Sequence, residues 1–151
     1  MYKRILLATD GSHSSDLAVD QAIAIARAMD AEIKALYVVD DADTYFAADY
    51  FDPQEMTGKL ASYGREILDA TAKRLEQAGI RHTTQLDDKP VAPGQISSTI
   101  VADASTWRAD LIVMGTHGRR GFRRMLMGSV SEGVLAKAHT PLLLVRSDQQ
   151  S

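Results

Sequence analysis

A chain of 151 residues, 45% hydrophobic and 25% charged, is long enough to bury a core, and one domain spanning 1–151 is expected. Its net charge of −3 lacks the phosphate-neutralising surplus of a general nucleic-acid binder, so nucleic acid is not an expected partner. The lack of cysteine excludes disulfides, thiolate catalysis and cysteine-ligated metal sites.

No stretch approaches the roughly 20 apolar residues of a membrane span, so no membrane insertion is expected. Lys3 and Arg4 precede an apolar run too short for a signal peptide, and a cytoplasmic location is the expectation. Ile5-Leu6-Leu7-Ala8 reads as a buried strand closed by the turn residues Thr9-Asp10-Gly11-Ser12. From about Ser14 to Met29, Ala18, Ala22, Ile25, Ala26 and Met29 recur at helical spacing, with Asp16 and Asp20 near the positive end of the helix dipole. Glu32 to Val39 alternates and is rich in strand formers. An acidic and aromatic segment follows, Asp40 to Pro53, open to reading as a lid, a partner surface or a solvated loop.

Gln54 to Ala78 keeps a helical period through Leu60, Tyr63, Ile67, Leu68, Thr71 and Leu75, with Gly79 suited to ending it. Arg81 to Leu86 predicts a third strand, closed by Asp87-Asp88-Lys89-Pro90. Gln95 to Trp107 predicts a helix with Ile96, Ile100, Ala104 and Trp107 on one stripe, Trp107 being a packing residue. Leu111 to Met114 is a fourth strand, a helix runs from Ser129 to about Ala138, and Leu142 to Val145 is a fifth strand.

Continuously apolar strands alternating with helices predict a parallel sheet covered on both faces, an α/β doubly wound fold of five strands; with strand one central and strand four beside it, the expected order is 3-2-1-4-5. Such sheets bind ligands beyond the carboxyl ends of their strands, where the order reverses. That places Thr9-Asp10 and Gly115 on opposite lips of one crevice. Gly115 and Gly118 follow the fourth strand, and Gly128-Ser129-Val130-Ser131 leads into a helix. Glycines permit close approach of an anion, and a helix start supplies free N–H groups with partial positive charge, so a phosphate site is predicted here.

Simpler readings stand beside this one. The glycines also suit ordinary turns, and Asp10 suits an Asx turn or helix cap with Ser12. Arg119 is the candidate phosphate contact, whereas Arg120, Arg123 and Arg124 read as surface or interface charges. His13, His82, His117 and His139 lack metal-ligand spacing. Ser129 and Glu132 form the S-x-x-E mark of a capping box, in which Glu132 would compete with phosphate for the helix start. No P-loop, nucleophile elbow or paired catalytic carboxylates are present, so binding is better supported than turnover.

Several stretches together resemble the universal stress protein family over essentially the whole chain. They are Ile5 to Ser12, Leu36-Tyr37-Val38-Val39-Asp40, Asp110 to Arg119, Gly128 to Glu132, and Thr140 to Arg146. The spacing of Gly115, Gly118, Gly128 and Ser129 is similar to that of the ATP-binding branch. The resemblance implies an adenine-nucleotide site for ATP or AMP. Ala8, Thr9 and Asp10 would line the adenosine side, and Val38 would present its backbone to the adenine. Met114 and Gly115 would flank sugar and base, and Gly118 and Arg119 would wrap the phosphates. Gly128, Ser129, Val130 and Ser131 would hold the phosphate tail through amides and hydroxyls.

Mg²⁺ would accompany a triphosphate and reach Asp10. The resemblance also implies a homodimer or higher oligomer through Leu142 to Arg146, and a regulatory stress protein whose nucleotide changes its association with itself or a protein partner. A slow ATPase or phosphotransferase in the same pocket, and a dimeric interaction protein with a vestigial pocket, are the alternatives. Valine at Gly115 or Gly128 is expected to abolish nucleotide binding and leave the fold intact.

Overall fold

In the computed structural model, residues 1–40, 53–91, 95–116 and 128–147 are described. Five strands, β1 (Arg4–Ala8), β2 (Glu32–Asp40), β3 (His82–Val91), β4 (Leu111–Gly115) and β5 (Leu142–Val145), form one sheet in the order β3-β2-β1-β4-β5. Every pairing is parallel, with Leu7 beside both Ala35 and Val113, and Ile112 beside Leu142. The described helices are α1 (His13–Met29), α2 (Pro53–Gln77), α3 (Ile96–Trp107) and α4 (Ser129–Lys137).

Alternation along the strands assigns the two faces. Ile5, Leu7, Ile33, Leu111 and Val113 pack against Ala18, Val19, Ala22 and Ala26 of α1 and Leu75 of α2. Leu6, Ala8, Leu36, Ile112 and Met114 pack against Ile100 and Ala104 of α3 and Val134 of α4. Ala35, Tyr37 and Val39 meet Leu60 and Leu68 of α2, where Gly64 admits the Tyr37 ring. Both faces of the central strands are therefore covered, as continuous apolar runs require.

Two expectations change. The third strand does not stop at Leu86: β3 continues through Asp87-Asp88-Lys89-Pro90 to Val91, with Val38 beside Asp87, Asp40 beside Val91 and a register shift between them. β3 is an edge strand, where proline's missing N–H removes no bond from the open side. The capping box does not form either. The N-cap of α4 is Gly128, so Ser129 is already the first helical residue and Glu132 is one position too late.

Helix ends follow local chemistry. Ser12 caps α1, its hydroxyl accepting the Ser15 N–H at 3.2 Å. Asp30 ends that helix at φ 54° and Arg108 ends α3 at φ 62°, left-handed positions held by non-glycine residues. Asp16 and Asp20 both lie near Arg74 of α2 rather than serving the dipole alone.

One charged pair enters the α3 face. Lys34 Nζ lies 3.2 Å from Asp103 Oδ2, with side chains only 14% and 13% exposed. The Trp107 ring lies beneath this amine, its centroid 5.8 Å away, and within 5.7 Å of the Arg4 guanidinium carbon. Trp107 thus packs as expected while accepting two cations on its ring.

Candidate functional site

The strand ends and the α4 start place four of the predicted residues on one side of the sheet. Ala8 and Met114 belong to the cluster on the α3 and α4 face, and Val38 and Val130 pack against it. Thr9 and Asp10 continue directly from Ala8, and Gly115 from Met114. The topology brings both lips together because β1 and β4 are neighbours.

At the β1 lip, a hydroxyl network fixes the turn. The Thr9 N–H donates to the Leu36 carbonyl at 3.0 Å. Thr9 Oγ1 and Ser15 Oγ are 2.6 Å apart, and Ser15 Oγ accepts the Asp10 N–H at 3.2 Å. Asp10 Oδ1 accepts the Ser12 N–H at 2.9 Å, so the Asx turn is present. That bond occupies one carboxylate oxygen and orients the group. Gly11 completes the turn at φ 81°, where a β-carbon would come 2.9 Å from the Tyr63 hydroxyl of α2.

At the β4 lip, Gly115 meets α1 rather than open space. A β-carbon there would stand 2.7 Å from the Ser14 carbonyl carbon and 2.8 Å from its Cβ. Ser14 and Ser15, adjacent on α1, therefore hold one lip each. Sequence reasoning overlooked both; the signal available was a pair of small polar residues just inside a helix start.

Beyond β4 the chain leaves at Thr116 and returns at Gly128, and the two are tied. The Gly128 N–H donates to the Thr116 carbonyl at 2.6 Å. The Ser131 hydroxyl donates toward the same carbonyl at 3.0 Å and toward the Gly128 carbonyl at 2.9 Å. Ser131 is buried, so its hydroxyl serves this closure and its amide is what remains for an anion. Gly128 offers no side-chain cap, and Ser129 and Glu132 are exposed. Among the described residues, the helix start thus keeps its first-turn amides clear of a capping side chain. Gly118, Arg119, His117, Arg120, Arg123, Arg124 and positions 41–52 of the acidic-aromatic segment lie outside the described residues.

Comparison with known proteins fits this arrangement. The family model for the universal stress proteins matches residues 1–146. The chain belongs to the universal stress protein family. It is 38% identical to universal stress protein MJ0531 of Methanocaldococcus jannaschii, over 99% of this chain and 85% of that protein. The solved structure of the hypothetical protein MJ0577 superposes with a TM-score of 0.82 at 28% identity, covering 99% of each chain. A universal stress protein solved in complex with cAMP superposes with a TM-score of 0.62 at 27% identity, covering 96% of this chain and 97% of that one.

The donor set also suits a nucleotide. Apolar Ala8, Val38 and Met114 offer a surface for a base, the α4 start offers amides, and Asp10 offers a carboxylate for a cation. Among the described residues no helix is long and apolar enough to cross a membrane.

Proposed function

We propose that this universal stress protein binds an adenine nucleotide, ATP or AMP, at the carboxyl ends of β1, β2 and β4. The observation that carries the reading is the junction at Gly128, where α4 starts without a side-chain cap beside the end of β4. Ala8, Thr9, Val38, Met114 and Gly115 receive the base and sugar; Gly118, Arg119, Gly128, Ser129, Val130 and the Ser131 amide receive phosphate. Mg²⁺ joins a triphosphate and reaches Asp10. Support comes from the related protein solved with cAMP, which is of the same chemical class.

The nucleotide acts as a regulator of association rather than as a substrate, within a homodimer built along Leu142 to Arg146. β5 pairs only with β4 among the described residues, and its residues are all half-buried. A second copy would cover that apolar edge. Calorimetric titration of nucleotide-free protein with ATP, AMP and GTP in Mg²⁺ tests the pocket. Micromolar ATP binding with GTP excluded is the expected result, and no binding by any of the three overturns the reading. Sedimentation with and without ATP tests the dimer.

A further inference from the structure

We infer that Ser15 is a positioning residue of this site, acting by donating to the Thr9 hydroxyl oxygen and so turning the Thr9 proton toward the ligand. The inference rests on the nucleotide reading above and adds a role which that reading does not contain.

The bookkeeping of protons carries it. Thr9 and Ser15 are 6% and 2% exposed, and their hydroxyl oxygens are 2.6 Å apart. Two hydroxyls bring two protons, and their mutual bond uses one. Ser15 Oγ also accepts the Asp10 N–H at 3.2 Å. An oxygen that accepts one hydrogen bond becomes a stronger donor of the next, so Ser15 donates to Thr9 and Thr9 keeps the second proton. Among the described residues that proton has no protein acceptor.

Burying an O–H without an acceptor is unfavourable, and a ligand acceptor removes the penalty. Thr9 stands between Ala8 and Asp10 at the end of β1, so the group it suits is a lone-pair atom of the nucleoside, a ribose oxygen or a ring nitrogen. An N–H of the ligand does not fit. The rest of β1 is apolar from Ile5 to Ala8, and a valine at position 9 would satisfy burial equally well. Ser15 is itself fixed, because its N–H is held by the Ser12 cap at 3.2 Å.

The test is a double-mutant cycle read by ATP titration in Mg²⁺, with circular dichroism as a check on folding. Ser15→Ala and Thr9→Val should each weaken ATP by about tenfold, the size of one net hydrogen bond. Ser15→Ala added to Thr9→Val should cost nothing more, and Thr9→Ser should recover most of what Thr9→Val loses. An equal penalty for Ser15→Ala in both backgrounds, or no penalty at all, overturns the inference. If Ser15→Ala does not fold, the comparison of Thr9→Val with Thr9→Ser decides, and equal affinity in those two overturns the inference. Failure of the unaltered protein to bind ATP overturns the nucleotide reading itself, and this inference with it.

Discussion

The backbone of Ser14 lies so close to Gly115 that a β-carbon at position 115 would stand 2.7 Å from the Ser14 carbonyl carbon. The close approach is between two pieces of backbone, one at the start of α1 and one at the end of β4. Neither can yield as a flexible side chain would. Gly115→Ala is therefore expected to destabilise the protein by about 1–3 kcal/mol, measured as a shift of the urea midpoint at unchanged slope. This corrects the expectation that valine at Gly115 would remove nucleotide and leave the fold intact.

Gly128 is the better probe of the phosphate site. Its φ is −74° and ψ 162°, an extended conformation open to any residue. Gly128→Val keeps the N–H that bonds Thr116 and adds bulk beside the α4 amides. ATP affinity should fall by at least about tenfold, while stability changes by only about 1 kcal/mol from the altered cap. Titration calorimetry and urea unfolding of the same preparation check both halves.

Asp10 combines a structural and a ligand role. Its Oδ1 accepts the Ser12 N–H at 2.9 Å, and removing it costs that bond as well as any cation contact. Asp10→Asn preserves an acceptor oxygen for the turn and removes the charge. The expected outcome is weaker ATP binding in Mg²⁺ with AMP affinity and thermal midpoint nearly unchanged. Equal losses for ATP and AMP would sink the metal role.

The Lys34–Asp103 pair predicts an effect far from the crevice. At 14% and 13% exposure, neither charge is well served by water alone. Asp103→Ala leaves the Lys34 amine with the Trp107 ring as its remaining attraction on that side. Breaking a partly buried pair in this way should cost about 2–4 kcal/mol, read from the urea midpoint. Replacing both residues with apolar ones of similar volume should cost much less than the single change.

Element order was legible because its signals are local. A strand at Ile5 to Ala8, helical spacing through Ala18, Ala22 and Ala26, and the Thr9-Asp10-Gly11-Ser12 turn each depend on neighbours within a few residues. Parallel strands and right-handed crossovers then predicted a doubly wound fold, and the sheet has the expected order 3-2-1-4-5. The shared face of Ala8, Val38, Met114 and Val130 was not read from the sequence and came only with the packed sheet.

Other features answered to distant partners. The S-x-x-E pattern at Ser129 and Glu132 predicts a capping box only if Ser129 is the cap. The tie between Gly128 and the Thr116 carbonyl starts the helix one residue earlier, and Glu132 falls out of reach. The Ser131 hydroxyl, expected at phosphate, is committed to the Thr116 and Gly128 carbonyls instead.

The order of strands and helices, the buried faces and the family could all be read along the chain, because periodicity and turn chemistry are properties of short stretches. The run of β3 through Pro90 to Val91 emerged from the assembled sheet alone, since an edge strand needs no N–H on its open side. The same assembly paired Lys34 with Asp103 and set Ser14 against Gly115. Those contacts join residues far apart in the chain, and their energies depend on distance and burial, which no local pattern carries.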